Sequence, residues 1–436
     1  FGSSPLAVFA SFIAAPRMLR ALLRGNSGNG DGNHGLSPTV ESHPPAGELC
    51  SALMEAVATV ASQQSSNGQS HEEATASSDV VHGCLSAVLR RLEQASSAAA
   101  RCPSSARASS TPAPPSAMRV VHAKQEQRDG CALMAALLDA DAPAQLVACM
   151  GLLGFEARKD AMRFFTALLR SALPLGADEL LVAYFRSHPR IARLLLEGSG
   201  RHEVFAHCAQ MIRACTRYPQ LVAALLEEGA AYRLIDLAQH QSFDISSEAF
   251  SSLRELLLVH REAAASYVVA NFEEFFTHYH RLLQRGMDYV ARRQALRLLG
   301  DMLLDRAYME VMLAYVSNEQ FLQIHMNLMR DSSKIIQLDA FHVFKIFVAN
   351  PQKPHRVVMI LYKNKERLLK LLNLLDSGKD SKTSASEDLR IVMGVLTALT
   401  TPPRRPTLSP TNVAAAVAVD MGMLGGEVAL SVVEAQ

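Results

Sequence analysis

Tryptophan is absent from this chain of 436 residues, and aromatic side chains of any kind make up only 6% of it. No stretch alternates β-branched with polar residues over the length a half-buried strand needs, so nothing argues for a sheet and the ordered part reads as all α. A strong net charge is missing too. The formal value is +1, and bulk charge gives no support to a claim on nucleic acid or an anionic membrane surface. The seven cysteines, Cys50, Cys84, Cys102, Cys131, Cys149, Cys208 and Cys215, form no C-x-x-C pair and are odd in number. Most stand on apolar helical stretches, a usage that reads as reduced core thiols in an intracellular, cytoplasmic setting rather than disulfides or zinc ligands. The fifteen histidines make no metal pattern either. His278 and His280, two apart on a helix, point in different directions.

Catalytic signatures are lacking as well. Gly28 to Gly35 is glycine-rich but has neither the Lys-Ser/Thr ending nor the flanking strand and helix that let backbone amides cradle a phosphate; it reads as a linker. Asp31 lacks the spaced carboxylates and terminal glutamate of a calcium loop. There is no G-x-S-x-G elbow, no H-E-x-x-H helix and no kinase catalytic loop. Glu273 and Glu274 are neighbours on a solvated helix face. The chain reads as no enzyme, with no cofactor and no metal.

No hydrophobic run is long enough to cross a bilayer. Leu6 to Ala15 is apolar, but it is short for a span and has no basic region before it, so it reads as a core helix of a first repeat, with a targeting or membrane-surface segment as the alternative.

What is present is a repeat. Phe155 to Arg170, Val204 to Arg217, Ile245 to Arg261, Tyr289 to Arg306 and Ile335 to Asn350 share one plan: a polar start, an alanine at a buried-looking position, then apolar residues at helical spacing until a charge or proline stops them. Ala209, Ala249, Ala295 and Ala340 lie roughly 40 to 46 residues apart, the period of armadillo or HEAT units. A small residue there lets the neighbouring helix approach closely. Shorter apolar helices fall between, at Leu221 to Leu226, Ala263 to Val269, Met309 to Tyr315 and Arg356 to Leu361. Such a unit cannot bury its own apolar stripe and must stack on the next. An armadillo/HEAT-like α-solenoid is therefore expected, and solenoids offer long grooves rather than enclosed pockets.

Three divisions follow from composition. Residues 1–118 read as helical segments, Leu49 to Ser62 and Val80 to Gln94, interrupted by disordered low-complexity insertions at Gly25 to Pro45, Ser62 to Ser78 and Ser96 to Ser116. Residues 119–400 are the repeat domain. Residues 401–436 open on Thr401-Pro402-Pro403 and read as a loose tail. The Ser/Thr-Pro pairs around Ser109 to Pro112 and at Ser409-Pro410 are candidate phosphorylation sites.

Several segments resemble one family. Ser242-Phe243-Asp244-Ile245, Tyr289-Val290-Ala291-Arg292-Arg293-Gln294-Ala295-Leu296, Leu303-Leu304-Asp305-Arg306, Met326-Asn327-Leu328-Met329-Arg330-Asp331 and Ala340-Phe341-His342-Val343-Phe344-Lys345, with Asn350-Pro351 closing the last helix, are similar to the Mo-twenty-five scaffold proteins, also called calcium-binding protein thirty-nine. The likeness is collinear from about Cys131 to Leu399 and diffuse before Met118. It implies a non-catalytic helical-repeat scaffold that holds a sterile-twenty-type kinase, or the pseudokinase STRAD, in an active-like shape, in an assembly that activates a liver kinase B-like kinase. The calcium of the second name has no ligand set in this sequence.

Two site sets come with the resemblance. A pocket for a Trp-Glu-Phe tail of the partner matches Arg293, Met326 and Lys363, with Met326 as a deformable floor for an aromatic ring and the two cations facing carboxylates. Gln323 replaces a family lysine near it and His325 a methionine, so the pull of charge is weaker here. A concave kinase surface matches Phe243, Tyr289, Arg297, Arg306 and Met309. Met309 stands where the family has a phenylalanine, with Tyr308 beside it as a candidate substitute. Arg306 can equally cap the preceding helix. The rival readings are an armadillo-type adaptor for cell polarity, morphogenesis or cytoskeletal assembly that leaves kinase activity unchanged and, far behind, a hydrolase.

Overall fold

The computed structural model describes residues 45–63, 71–101, 117–284, 288–376 and 384–400. The segment Leu6 to Ala15, most of Gly25 to Pro45, the Ser/Thr-Pro pairs and the C-terminal tail lie outside them. The described residues are helical, without strands. In chain order the helices are α1 (Ala46–Gln63), α2 (His71–Arg101), α3 (Ala117–Asp139), α4 (Ala142–Cys149), α5 (Phe155–Leu175), α6 (Asp178–Ser187), α7 (Arg190–Gly198), α8 (Phe205–Cys215), α9 (Pro219–Glu227) and α10 (Ala230–Leu237). There follow α11 (Phe243–Leu258), α12 (Arg261–Ala270), α13 (Phe272–Tyr279), α14 (Tyr289–Leu303), α15 (Met309–Ser317), α16 (Glu319–Leu328), α17 (Lys334–Ala349), α18 (His355–Asp376) and α19 (Ser384–Ala398). They form two compact units divided after Val311.

In the first unit each helix packs on the helix three further along the chain. The contacts run α2 to α5, α8, α11 and α14; α1 to α4, α7, α10 and α13; and α3 to α6, α9 and α12, ending on a 3-10 turn at Arg306–Tyr308. Three parallel ladders of this kind are the three-helix armadillo arrangement, in which every repeat completes its core with the next. The alanine positions explain the close stacking of the long-helix ladder. Ala161, Ala209, Ala249 and Ala295 are all fully buried. Three buried or half-buried tyrosines tie rungs together by donating to backbone carbonyls: Tyr218 to Leu169 at 2.9 Å, Tyr279 to Ala295 at 2.9 Å and Tyr308 to Leu257 at 2.6 Å. Each such bond contributes on the order of 1 kcal/mol net.

Helix ends follow local chemistry. Asp288 caps α14 by accepting from the amides of Val290 and Ala291, at 2.9 and 3.3 Å, and Asn318 caps α16 in the same way. Gly176, at φ 72°, closes α5 in the left-handed conformation open to glycine.

Two boundaries differ from the sequence expectation. α2 extends beyond Val80 to Gln94 at both ends, taking in much of two windows assigned to insertions. Small side chains are the reason: Ala95 and Ala98 are buried, and so is Ser78, whose hydroxyl accepts the amide of Gly154 at 2.7 Å. Polar composition hid the two ends of this helix, where the buried side chains are alanine and serine rather than the valine and leucine of its middle. Gly130 of α3 belongs to the same contact, because a Cβ there would stand 2.3 Å from that of Ala95. The second difference is α18, which runs to Asp376 where a short helix ending at Leu361 was expected. Leu368, Leu372 and Leu375 continue its buried stripe.

In the second unit α17 packs on α16, α18 and α19. Ala340 is buried there, as expected. Tyr315, Phe321, His325 and Phe347 form an aromatic cluster in which the Tyr315 hydroxyl meets His325 Nε2 at 2.8 Å. Lys345 of α17 pairs with Asp388 of α19.

Candidate functional site

All five residues matched to a kinase surface fall in the first unit and are open to solvent. Phe243 begins α11 and is 64% exposed, and Tyr289 begins α14. The starts of these two helices meet around a small recess lined by Phe243, Ser246, Asp288, Val290 and Gln294, so the structure brings Phe243 beside the first turn of α14. Helical geometry puts Tyr289, Val290, Arg293, Arg297, Asp301 and Leu304 on one side of α14. Arg297 is fully on the surface.

The arginines of this region differ in what holds them. Arg254 of α11 pairs with Asp301 of α14 at 2.8 Å, and Arg261 of α12 pairs with Asp305. Arg213 of α8 reaches both Glu248 and Glu255 of α11. These pairs cross from one rung to the next and serve the stacking. By contrast, the guanidinium groups of Arg297 and Arg306 have no ion-pair or hydrogen-bond partner among the described residues. Arg306 therefore does not cap α14, and Asp305 caps the 3-10 turn that follows, its side chain accepting the amide of Ala307 at 2.9 Å.

Met309 is 48% exposed at the start of α15. Tyr308 cannot replace the missing aromatic ring. It is fully buried with its hydroxyl bonded to Leu257 O, and burial raises its pKa well above the ordinary phenol range. A residue at i+1 on a helical turn faces away from its neighbour, and here it faces the core.

The three residues matched to a tail pocket do not share one unit. Arg293 lies on α14 in the first, half-buried; Met326 on α16 and Lys363 on α18 lie in the second. α16 and α18 pack together. Met326 keeps only 7% of its surface, while Lys363 and Gln323 are exposed. His325, in place of a family methionine, points into the core and is held by Tyr315, so this replacement changes packing rather than surface charge.

The cysteines that are described are free thiols. Burial pushes Cys84 and Cys149 up to about 11 and Cys208 and Cys215 to about 12, which removes the thiolate that redox or nucleophilic chemistry needs. Burial lowers His280 to about 4, so that it stays neutral. Among the described residues no group of three or more His, Cys, Asp or Glu is placed to hold a metal ion. No single described helix is long and apolar enough to cross a membrane, although the bent pair of Val121–Asp139 and α4 reaches that length and apolarity together. In α4 the residues Ala142, Ala144, Leu146 and Val147 are buried in the first unit.

Comparison with known proteins now defines the class. The model of the Mo25-like family matches residues 116–399, and the chain belongs to that family, one of armadillo-like helical-repeat scaffolds. The degreening-related gene dee76 protein of Auxenochlorella protothecoides is 38% identical over 57% of this chain and 76% of its own length. The Mo25-like protein of Schizosaccharomyces pombe is 37% identical over 58% of this chain and 75% of its own. For the calcium-binding protein 39-like protein of Homo sapiens the values are 36%, 52% and 67%. Among solved structures, a computationally designed armadillo repeat protein aligns at 13% identity over 58% of this chain and 98% of its own, with a TM-score of 0.37.

Proposed function

We propose that this chain is a non-catalytic scaffold that binds a sterile-twenty-type protein kinase, or a STRAD-like pseudokinase with a liver kinase B-like kinase, and stabilises its active conformation. The observation that carries the reading is the exposure of Arg297 and Arg306, neither with a partner among the described residues, in a unit that also exposes Phe243, Tyr289 and Met309. Arginine and aromatic side chains supply most interface hot spots. A guanidinium with no partner among the described residues also has no bond to them to break when it meets a carboxylate.

The mechanism is a shift of population. A kinase that samples active and inactive domain arrangements moves towards the one this face contacts better, and the difference in affinity limits the gain. Capture of a partner tail through Met326 and Lys363 of the second unit raises the effective concentration of the kinase without choosing between its states. Met309, an unbranched thioether where the family has a ring, lowers the affinity of the first contact by roughly 1 kcal/mol relative to an aromatic anchor.

The test is the activity of sterile-twenty-type kinases from the same cell with and without the purified chain. Stimulation that Met309→Phe strengthens is the expected result. Binding without stimulation favours an adaptor, and absence of both rejects the reading.

A further inference from the structure

The last described helix of the second unit leaves an apolar face bare. α19 packs on α17 and α18, and it buries Leu389, Val392 and Leu396. Its other side carries Ile391, Gly394, Val395 and Ala398, which fall together at helical spacing. Ile391 is 58% and Val395 37% exposed, Ala398 is exposed as well, and a Cβ on Gly394 would meet no atom within 4 Å. None of the four is charged. An inner rung of a solenoid presents its apolar stripe to the next rung, whereas a terminal rung normally turns a polar face outward. α19 has the surface of an inner rung.

The sequence that follows fits this surface. Residues 413–419 are valine and alanine alone, with Asn412 before them and Asp420 after, and Val413, Ala416 and Val417 share one side at helical spacing. They lie outside the described residues and beyond residues 116–399, the part that matches the family. The connection is long enough. α19 has 15 residues and is about 22 Å long, whereas the 12 residues 400–411, four of them proline, span about 37 Å when extended. The run can therefore lie along α19 in either direction.

We infer that residues 413–419 dock on the face of α19 that carries Ile391 and Val395, and so cap the last rung of the second unit. Gly394 leaves room between those two side chains for a close approach by alanine, the residue that the long-helix ladder of the first unit buries at its contacts. A second copy of the chain is the rival occupant. Two large side chains fall well short of the roughly 800 Å² per partner that a stable interface buries, while a tethered segment meets the face at an effective concentration on the order of 1 mM. The inference goes beyond the kinase reading and does not depend on it.

The test is hydrogen exchange of the full chain, read by mass spectrometry. The amides of residues 413–419 are expected to exchange about tenfold or more slowly than in a free peptide of the same sequence. Ile391→Glu with Val395→Glu puts two charges on the face and is expected to return them to the peptide rate, while continued protection of α17 shows that the unit is folded. Val417→Asp, made in the segment itself, is expected to do the same without touching the folded unit. Leu313→Glu, at another exposed apolar position of the second unit, is expected to leave the segment protected. Exchange at the peptide rate in the unaltered chain overturns the inference. So does protection that survives the double substitution, which places the segment elsewhere, and protection that grows with protein concentration, which makes the occupant a second copy.

Discussion

Across the helices of the first unit, arginine serves two ends. Arg213, Arg254 and Arg261 each meet a carboxylate of another helix or of the turn after α14, and their bonds follow the stacking direction. Arg297 and Arg306, on or just after the last rung, are free of such bonds among the described residues. Residue type is alike in both groups. The difference is the acid opposite: where the neighbouring rung supplies one, arginine holds the solenoid together, and where it does not, the side chain remains available to another molecule.

Mutations sharpen this contrast in order of size. Arg297→Ala with Arg306→Ala is expected to reduce kinase stimulation by tenfold or more, about two hot-spot contacts, with the melting temperature unchanged; a joint fall of both would make these arginines structural. Arg213→Ala leaves Glu248 and Glu255 facing one another without their cation, at a cost of about 1–3 kcal/mol, and urea unfolding is the measure. For Arg254→Ala, whose pair with Asp301 is half-exposed, the loss is expected within about 1 kcal/mol and to shrink further in high salt. The smallest effect lies in the second unit, where a hydrogen bond from Arg356 holds the Glu319 carboxyl below its usual pKa. A carboxylate lowered in the folded state contributes stability above its unfolded value of 4.5, and that contribution fades as pH falls through the lowered value. Glu319→Gln should flatten the melting temperature slightly between about pH 5 and 3, and a steepening there would contradict the assignment.

The fold was legible because its signal is periodic. Alanine recurring at Ala209, Ala249, Ala295 and Ala340 can be read without knowing any partner, and each of these residues is buried. The ends of α2 escaped because the side chains they bury, Ser78, Ala95 and Ala98, are small and carry little hydropathy. For the sites, sequence gave type but not pairing. Arg254 and Arg297 look alike on a helix, and only the position of Asp301 across the rung separates them. Tyr308 and Met309 show the same limit: adjacent in sequence, one is sealed into the core and the other is open.

The most direct measurement is the plateau of kinase activity at saturating scaffold. If the arginine face shifts the kinase between states while tail capture only concentrates it, Arg306→Ala lowers the plateau, whereas Met326→Ala reaches the wild-type plateau at a higher scaffold concentration. Equal plateaus for both variants, with only their midpoints moved, would contradict a conformational role for the unpaired arginines.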